Sequence, residues 1–92
     1  MVCACVRTDS NPEAPRVILP GIGPEIERWA ELFAQQGEPV PVFLKRAVNA
    51  WEYVGDYRVR SVERSPAAIA PYRERVARDL SMILHLEPAG GT

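Results

Sequence analysis

Ninety-two residues with 47% hydrophobic and 25% charged composition bound this chain to one globular domain with a small core. No apolar run approaches the roughly 18 to 20 residues a membrane-spanning helix needs, which excludes insertion as a helix. A net charge of −1 argues against coating nucleic acid by bulk electrostatics, and Met1 to Arg7 lack the features of a secretory leader, so a cytoplasmic setting is expected. Cys3 and Cys5 are one residue apart; on a strand they share a face and are poorly placed for an unstrained disulfide, so free thiols are expected. His85 is the single histidine and no second Cys pair exists, so no metal or other cofactor is implied.

After a short N-terminal strand, Asp9 to Pro15 holds two prolines among polar residues and reads as a loop or poorly ordered connection. Arg16 to Leu19 is a short apolar strand. Pro20-Gly21-Ile22-Gly23-Pro24 turns the chain into a helix over 24–36, with Pro24 at the first helical position and Glu25 and Glu27 facing the positive end of its dipole. Ile26, Trp29, Ala30 and Phe33 have the spacing of one buried face, and Gly37 offers a left-handed stop. Glycines before a helix can also cradle phosphate, but Pro24 removes a donor, the two glutamates repel anions, and neither the dinucleotide nor the P-loop spacing is present.

Pro39 to Lys45 reads as a strand whose prolines confine its start to an edge or a bulge. Arg46 to Ala50 is the expected connection to a strand running from Trp51 to about Glu63. Ser65-Pro66 starts a short helical segment over about 66–78, which Pro71 is expected to interrupt. Leu80, Met82, Leu84 and Leu86 alternate with Ser81, Ile83, His85 and Glu87 in a last strand with one face buried, and Pro88 to Thr92 is expected to fray. Core residues 16–87 thus compose an α+β domain: a small, curved, antiparallel-rich sheet or partly open barrel with one main helix.

The aromatic strand carries the functional signal. Trp51, Tyr53, Tyr57 and Val59 occupy odd positions around Gly55, the pattern of a pleated strand with a bulge where a ligand can approach closely. Residues 1–44 carry three arginines against six acids, a balance of −3, whereas residues 45–92 carry eight bases against six acids, or +2. Lys45, Arg46, Arg58, Arg60 and Arg64 cluster around the aromatics, as a phosphate-contacting face or a solvated sheet face both require.

The run Tyr53-Val54-Gly55-Asp56-Tyr57-Arg58-Val59 resembles the signature of SRA domains, PUA-like barrels that recognise modified cytosine in DNA; Tyr53, Gly55, Tyr57 and Val59 match it, and Val54 stands where the signature has an aspartate. Over residues 16–87 the chain is also similar to PUA-like domains attached to bacterial HNH nucleases. The resemblance implies a PUA-like fold, a non-catalytic nucleic-acid recognition module that reads modified DNA bases, and a nuclease partner. Trp51, Tyr53 or Tyr57 would stack a base, Lys45, Arg46, Arg58 and Arg60 would position phosphates, and Asn49 would bond a base edge. In a plain strand register Arg58 and Arg60 lie opposite the aromatics unless the Gly55 bulge resets it. An interaction domain that homodimerises through an edge at Pro39 to Lys45 or through the Trp29 helix face is the alternative. Catalysis would rest on His85 with Glu87 as an acid–base pair.

Overall fold

In the computed structural model, which describes residues 3–89, the chain is an α+β domain: a mixed, partly open five-stranded sheet with two helices. The elements are β1 (Ala4–Arg7), β2 (Val17–Ile18), α1 (Pro24–Gln36), β3 (Val40–Ala47), β4 (Ala50–Glu63), α2 (Pro66–Val76) and β5 (Ile83–Pro88). Their order across the sheet is β1-β3-β4-β5-β2. The β3, β4 and β5 ladder and the β5–β2 pair are antiparallel, while β1 joins β3 in parallel.

Local chemistry sets α1 as the sequence predicts. Pro24 begins it, the Glu27 carboxylate accepts the Gly23 N–H at 2.9 Å, and Gly37 ends it at φ 73°. The glutamate thereby occupies a donor at the helix start, so the preceding glycine turn acts as a structural cap. Ala30 and Phe33 are buried, and Trp29 packs edge-on against Phe33 with ring centroids 5.7 Å apart. They close over Val40, Val42, Leu44, Tyr57, Leu84 and Leu86 on one sheet face, the main core.

A second cluster of Val17, Leu19, Leu80 and Ile83 lies beneath Ile69, Tyr72 and Val76 of α2. The consecutive residues Ile83 and Leu84 are both fully buried because successive strand side chains point to opposite faces and each face is covered here. The last strand is thus buried on two faces, where one was expected. Pro71 does not interrupt α2: it removes a single backbone donor on an exposed flank, while Ser65 caps the N-terminus by accepting the Ala68 N–H and the Arg75–Glu13 ion pair ties the helix to the loop after β1.

The loop over residues 8–15 is ordered by buried Asn11, whose amide donates to Arg7 O at 2.9 Å and whose carbonyl accepts the Leu19 N–H at 2.8 Å. Arg46 to Ala50 is not an open connection: β3 runs to Ala47, β4 begins at Ala50, and two residues turn the hairpin. The prolines of β3 do sit at its start, since β1 covers β3 from Val42 to Lys45 and leaves Val40 and Pro41 beyond its reach. That pairing also takes up most of the edge expected at Pro39 to Lys45 for self-association, because β1 occupies it from Val42 to Lys45. Of the segment expected to fray, Pro88 ends β5 and the Ala89 N–H donates to Asp56 O at 2.8 Å, while residues 90–92 lie outside the described residues.

Candidate nucleic-acid interface

Two bulges in β4 decide which side chains meet. The β3–β4 register pairs Lys45 with Trp51 and Phe43 with Tyr53, then shifts so that Gly55 faces Val42 and Tyr57 faces Val40. Inserting one residue reverses the facing of everything beyond it. Trp51 and Tyr53 therefore stand on the sheet face opposite α1, at 47% and 55% exposure, whereas Tyr57 turns into the main core at 9%. Gly55 takes φ 119°, so the backbone favours glycine there, although a Cβ would meet the Tyr57 ring at an ordinary contact distance of 3.5 Å.

On the outer face, the Phe43 and Tyr53 rings lie 5.5 Å apart at 49° and the Lys45 ammonium sits 5.7 Å from the Trp51 ring centroid. The Tyr53 hydroxyl donates to Asp56 Oδ1 at 2.8 Å. That hydrogen bond, with smaller contributions from desolvation and the Asp56 charge, holds the phenol above its ordinary pKa. Asp56→Asn is expected to bring the Tyr53 titration down toward about 10, the usual phenol value. An ultraviolet pH titration, with Tyr53→Phe identifying the phenol, checks this; an unmoved titration would contradict the assigned hydrogen bond.

Reversal at the bulge also resolves the geometric conflict over Arg58. Arg58 lies on the face opposite Tyr57, which beyond the bulge is the Trp51 and Tyr53 face, and it bonds Glu87 at 3.0 Å. Arg60 falls at the second irregularity, between Val59 and Ser61, and lines a depression with Arg16, His85 and Glu87. Arg46 sits at an irregularity near the hairpin end and pairs at 2.7 Å with Glu52, whose cross-strand neighbour is the core residue Leu44. Asn49 holds φ 59° at the exposed hairpin turn, a conformation asparagine tolerates, so its position already has a structural reason.

The structure thus brings together Lys45, Trp51 and Tyr53, sets Arg58 on the same face further along β4 beside Glu87, places Arg46, Asn49 and Arg60 at the margins, and withholds Tyr57. Phe43, absent from the residues the sequence singles out, completes the aromatic group. Its signal was its alternation with Val42 and Leu44, which sends it to the outer face. His85 and Glu87 are not a pair: His85 Nε2 lies 3.3 Å from Glu63, and Glu87 is held by Arg58. Cys3 and Cys5 are free, with sulfurs 3.8 Å apart, and partial burial followed by the neighbouring thiol pushes the Cys5 pKa up. Among the described residues no group of three or more His, Cys, Asp or Glu side chains is placed to hold a metal, and no helix is long and apolar enough to cross a membrane.

No curated protein and no solved structure matches the chain. A family model matches residues 2–78, from the N-terminal strand through both strands of the aromatic hairpin and α2; the chain belongs to the family DUF6697, described as a domain of unknown function.

Proposed function

We propose that this domain is a non-catalytic nucleic-acid recognition module that stacks unpaired bases on the outer face of its sheet. The observation that carries the reading is the group of Phe43, Trp51 and Tyr53 on a helix-free part of the sheet, with Lys45 against the Trp51 ring. Exposed aromatics on a sheet offer flat partners for any base, and nearby cations supply the backbone term. Lys45 and Arg58 supply it here, Arg58 while shared with Glu87.

The likeness of Tyr53–Val59 to SRA-type domains supports base recognition by this strand. Burial of Tyr57 favours single-stranded over flipped-base recognition, since one of the two tyrosines of the motif is packed in the core. Reading of a modified base and action with a nuclease partner are finer forms of the same proposal. A reducing, cytoplasmic setting accords with the free thiols.

Self-association through the same face is the second reading. It is favoured by the Arg58–Glu87 ion pair, which lowers the free positive charge beside two large exposed rings. Fluorescence anisotropy of labelled single-stranded DNA, duplex DNA and duplex carrying modified cytosine, each at two salt concentrations, separates these outcomes. Salt-dependent binding with preference for the single strand is expected. Preference for the modified duplex would replace stacking on an open sheet with base flipping, and absence of binding at low salt together with a dimer in sedimentation would overturn nucleic-acid recognition in favour of self-association.

A further inference from the structure

We propose that the cavity beside the free edge of β1 binds a small organic anion, its carboxylate on Arg78 and its apolar body against Trp29. The cavity has a volume of about 450 Å³, within the range of about 300–1,000 Å³ usual for small-molecule sites. Leu19, Pro20, Ile26 and Trp29 give it apolar walls, and Arg78 and Arg7 supply its charge. No aspartate or glutamate lines it. Arg7 is engaged by Asp9 at 3.0 Å, which leaves Arg78 as the cation without a counter-ion.

Arg78 is held firmly and incompletely satisfied. Its Nη2 donates to Ser10 O and to Leu19 O, both at 2.8 Å, joining the loop after β1 to the residue that follows β2. Its Nε is buried with no hydrogen-bond partner, and no ion pair among the described residues includes this guanidinium. A part-buried cation supported by carbonyl oxygens alone is stabilised by an incoming anion, because the desolvation penalty has already been met in the folded chain. Gly21 leaves room for it: a Cβ there would come within 3.3 Å of Arg78 Nη1. Apolar walls around a single charge select a carboxylate with an apolar or planar body over a compact, strongly hydrated anion. The site lies at the β1 edge and uses none of the aromatics assigned to nucleic-acid binding, so the two readings fail independently.

The test is a ¹H–¹⁵N titration of the full chain with benzoate, indole-3-acetate and hexanoate, each beside its neutral amide, and with inorganic phosphate. Expected are saturable shifts of the Trp29 indole N–H, the Arg78 Nε–H and the Gly21 amide with at least one carboxylate. Its amide should bind about tenfold or more weakly, consistent with loss of a charge-assisted bond, and Arg78→Gln should abolish the preference for acid over amide. No saturable shift with any of the three acids, equal affinity for acid and amide, or phosphate binding as tightly as the best acid would overturn the proposal. Arg78→Gln also loses two structural bonds, so the comparison of acid with amide on the unmodified chain decides the matter if that variant fails to fold.

Discussion

Phe33→Ala is expected to destabilise the domain by about 3–5 kcal/mol, the usual range for emptying a large aromatic from a core. Phe33 is 1% exposed, belongs to the main cluster and supports Trp29 edge-on, so its removal empties the contact between α1 and the sheet. Native domains hold only about 5–15 kcal/mol in total, so the loss takes roughly a fifth or more of the reserve of a 92-residue chain. Each kcal/mol lowers the melting temperature of a domain this size by about 4–8 °C, which puts the expected fall above roughly 10 °C. Leu32→Ala on the same helix is the control: Leu32 is exposed, and its loss should stay within about 0.5 kcal/mol. Urea unfolding followed by circular dichroism and by tryptophan fluorescence measures both. Equal effects of the two substitutions would mean that α1 does not present its Phe33 face to the sheet.

That contrast between neighbours is what the sequence makes legible. Helix α1 carries its own boundaries, Pro24 and Gly37, so periodicity alone gives Pro24–Gln36 and the burial of Ala30 and Phe33, but of the other two residues expected on that face Trp29 is only partly buried and Ile26, in the first turn, stays 39% exposed. The last strand shows where periodicity ends. Ile83 breaks the alternation of Leu84 and Leu86, and its burial depends on α2 arriving from elsewhere in the chain. Pro71 misleads for a related reason: its local penalty is outweighed by packing of Ile69, Tyr72 and Val76 on the second cluster, which no local pattern contains. Partnership of β1 with β3 was equally out of reach, because a parallel pairing leaves no turn signature between the strands.

For the candidate site, composition located the strand and register decided its members. Trp51, Tyr53 and Tyr57 share a face in an ideal strand, and one extra residue in front of Gly55 separates the last from the first two. Gly55 announced a bulge without fixing its position relative to β3, and that position determines whether Tyr57 or Arg58 joins Tyr53. The cavity at Arg78 had no sequence signal: its parts come from β1, the loop after it, residues 19–21, α1 and the segment after α2.

Trp51→Ala and Tyr53→Ala should each weaken single-stranded oligonucleotide binding by about 1–3 kcal/mol, the worth of one stacked base, or roughly 5- to 150-fold in Kd. Neither should greatly lower stability, since both rings are about half exposed; Tyr53→Ala loses its contact with Phe43, worth about 0.2–1 kcal/mol as a cross-strand pair. The double variant tests whether one strand of nucleic acid crosses both rings: losses that add indicate separate stacked bases, and a smaller combined loss indicates one shared base. Lys45→Ala should reduce the slope of log affinity against log salt by about 0.7, as loss of a single phosphate contact to a single strand does, while uncovering the Trp51 ring against which the ammonium now lies. Tyr57→Phe is the discriminating control. Its ring is packed in the core, so removing its hydroxyl should leave binding unchanged if the exposed sheet face is the site, whereas a flipped-base pocket of the SRA type would place that hydroxyl near the ligand. Binding lost on Tyr57→Phe and retained on Trp51→Ala would move the site off the outer face altogether.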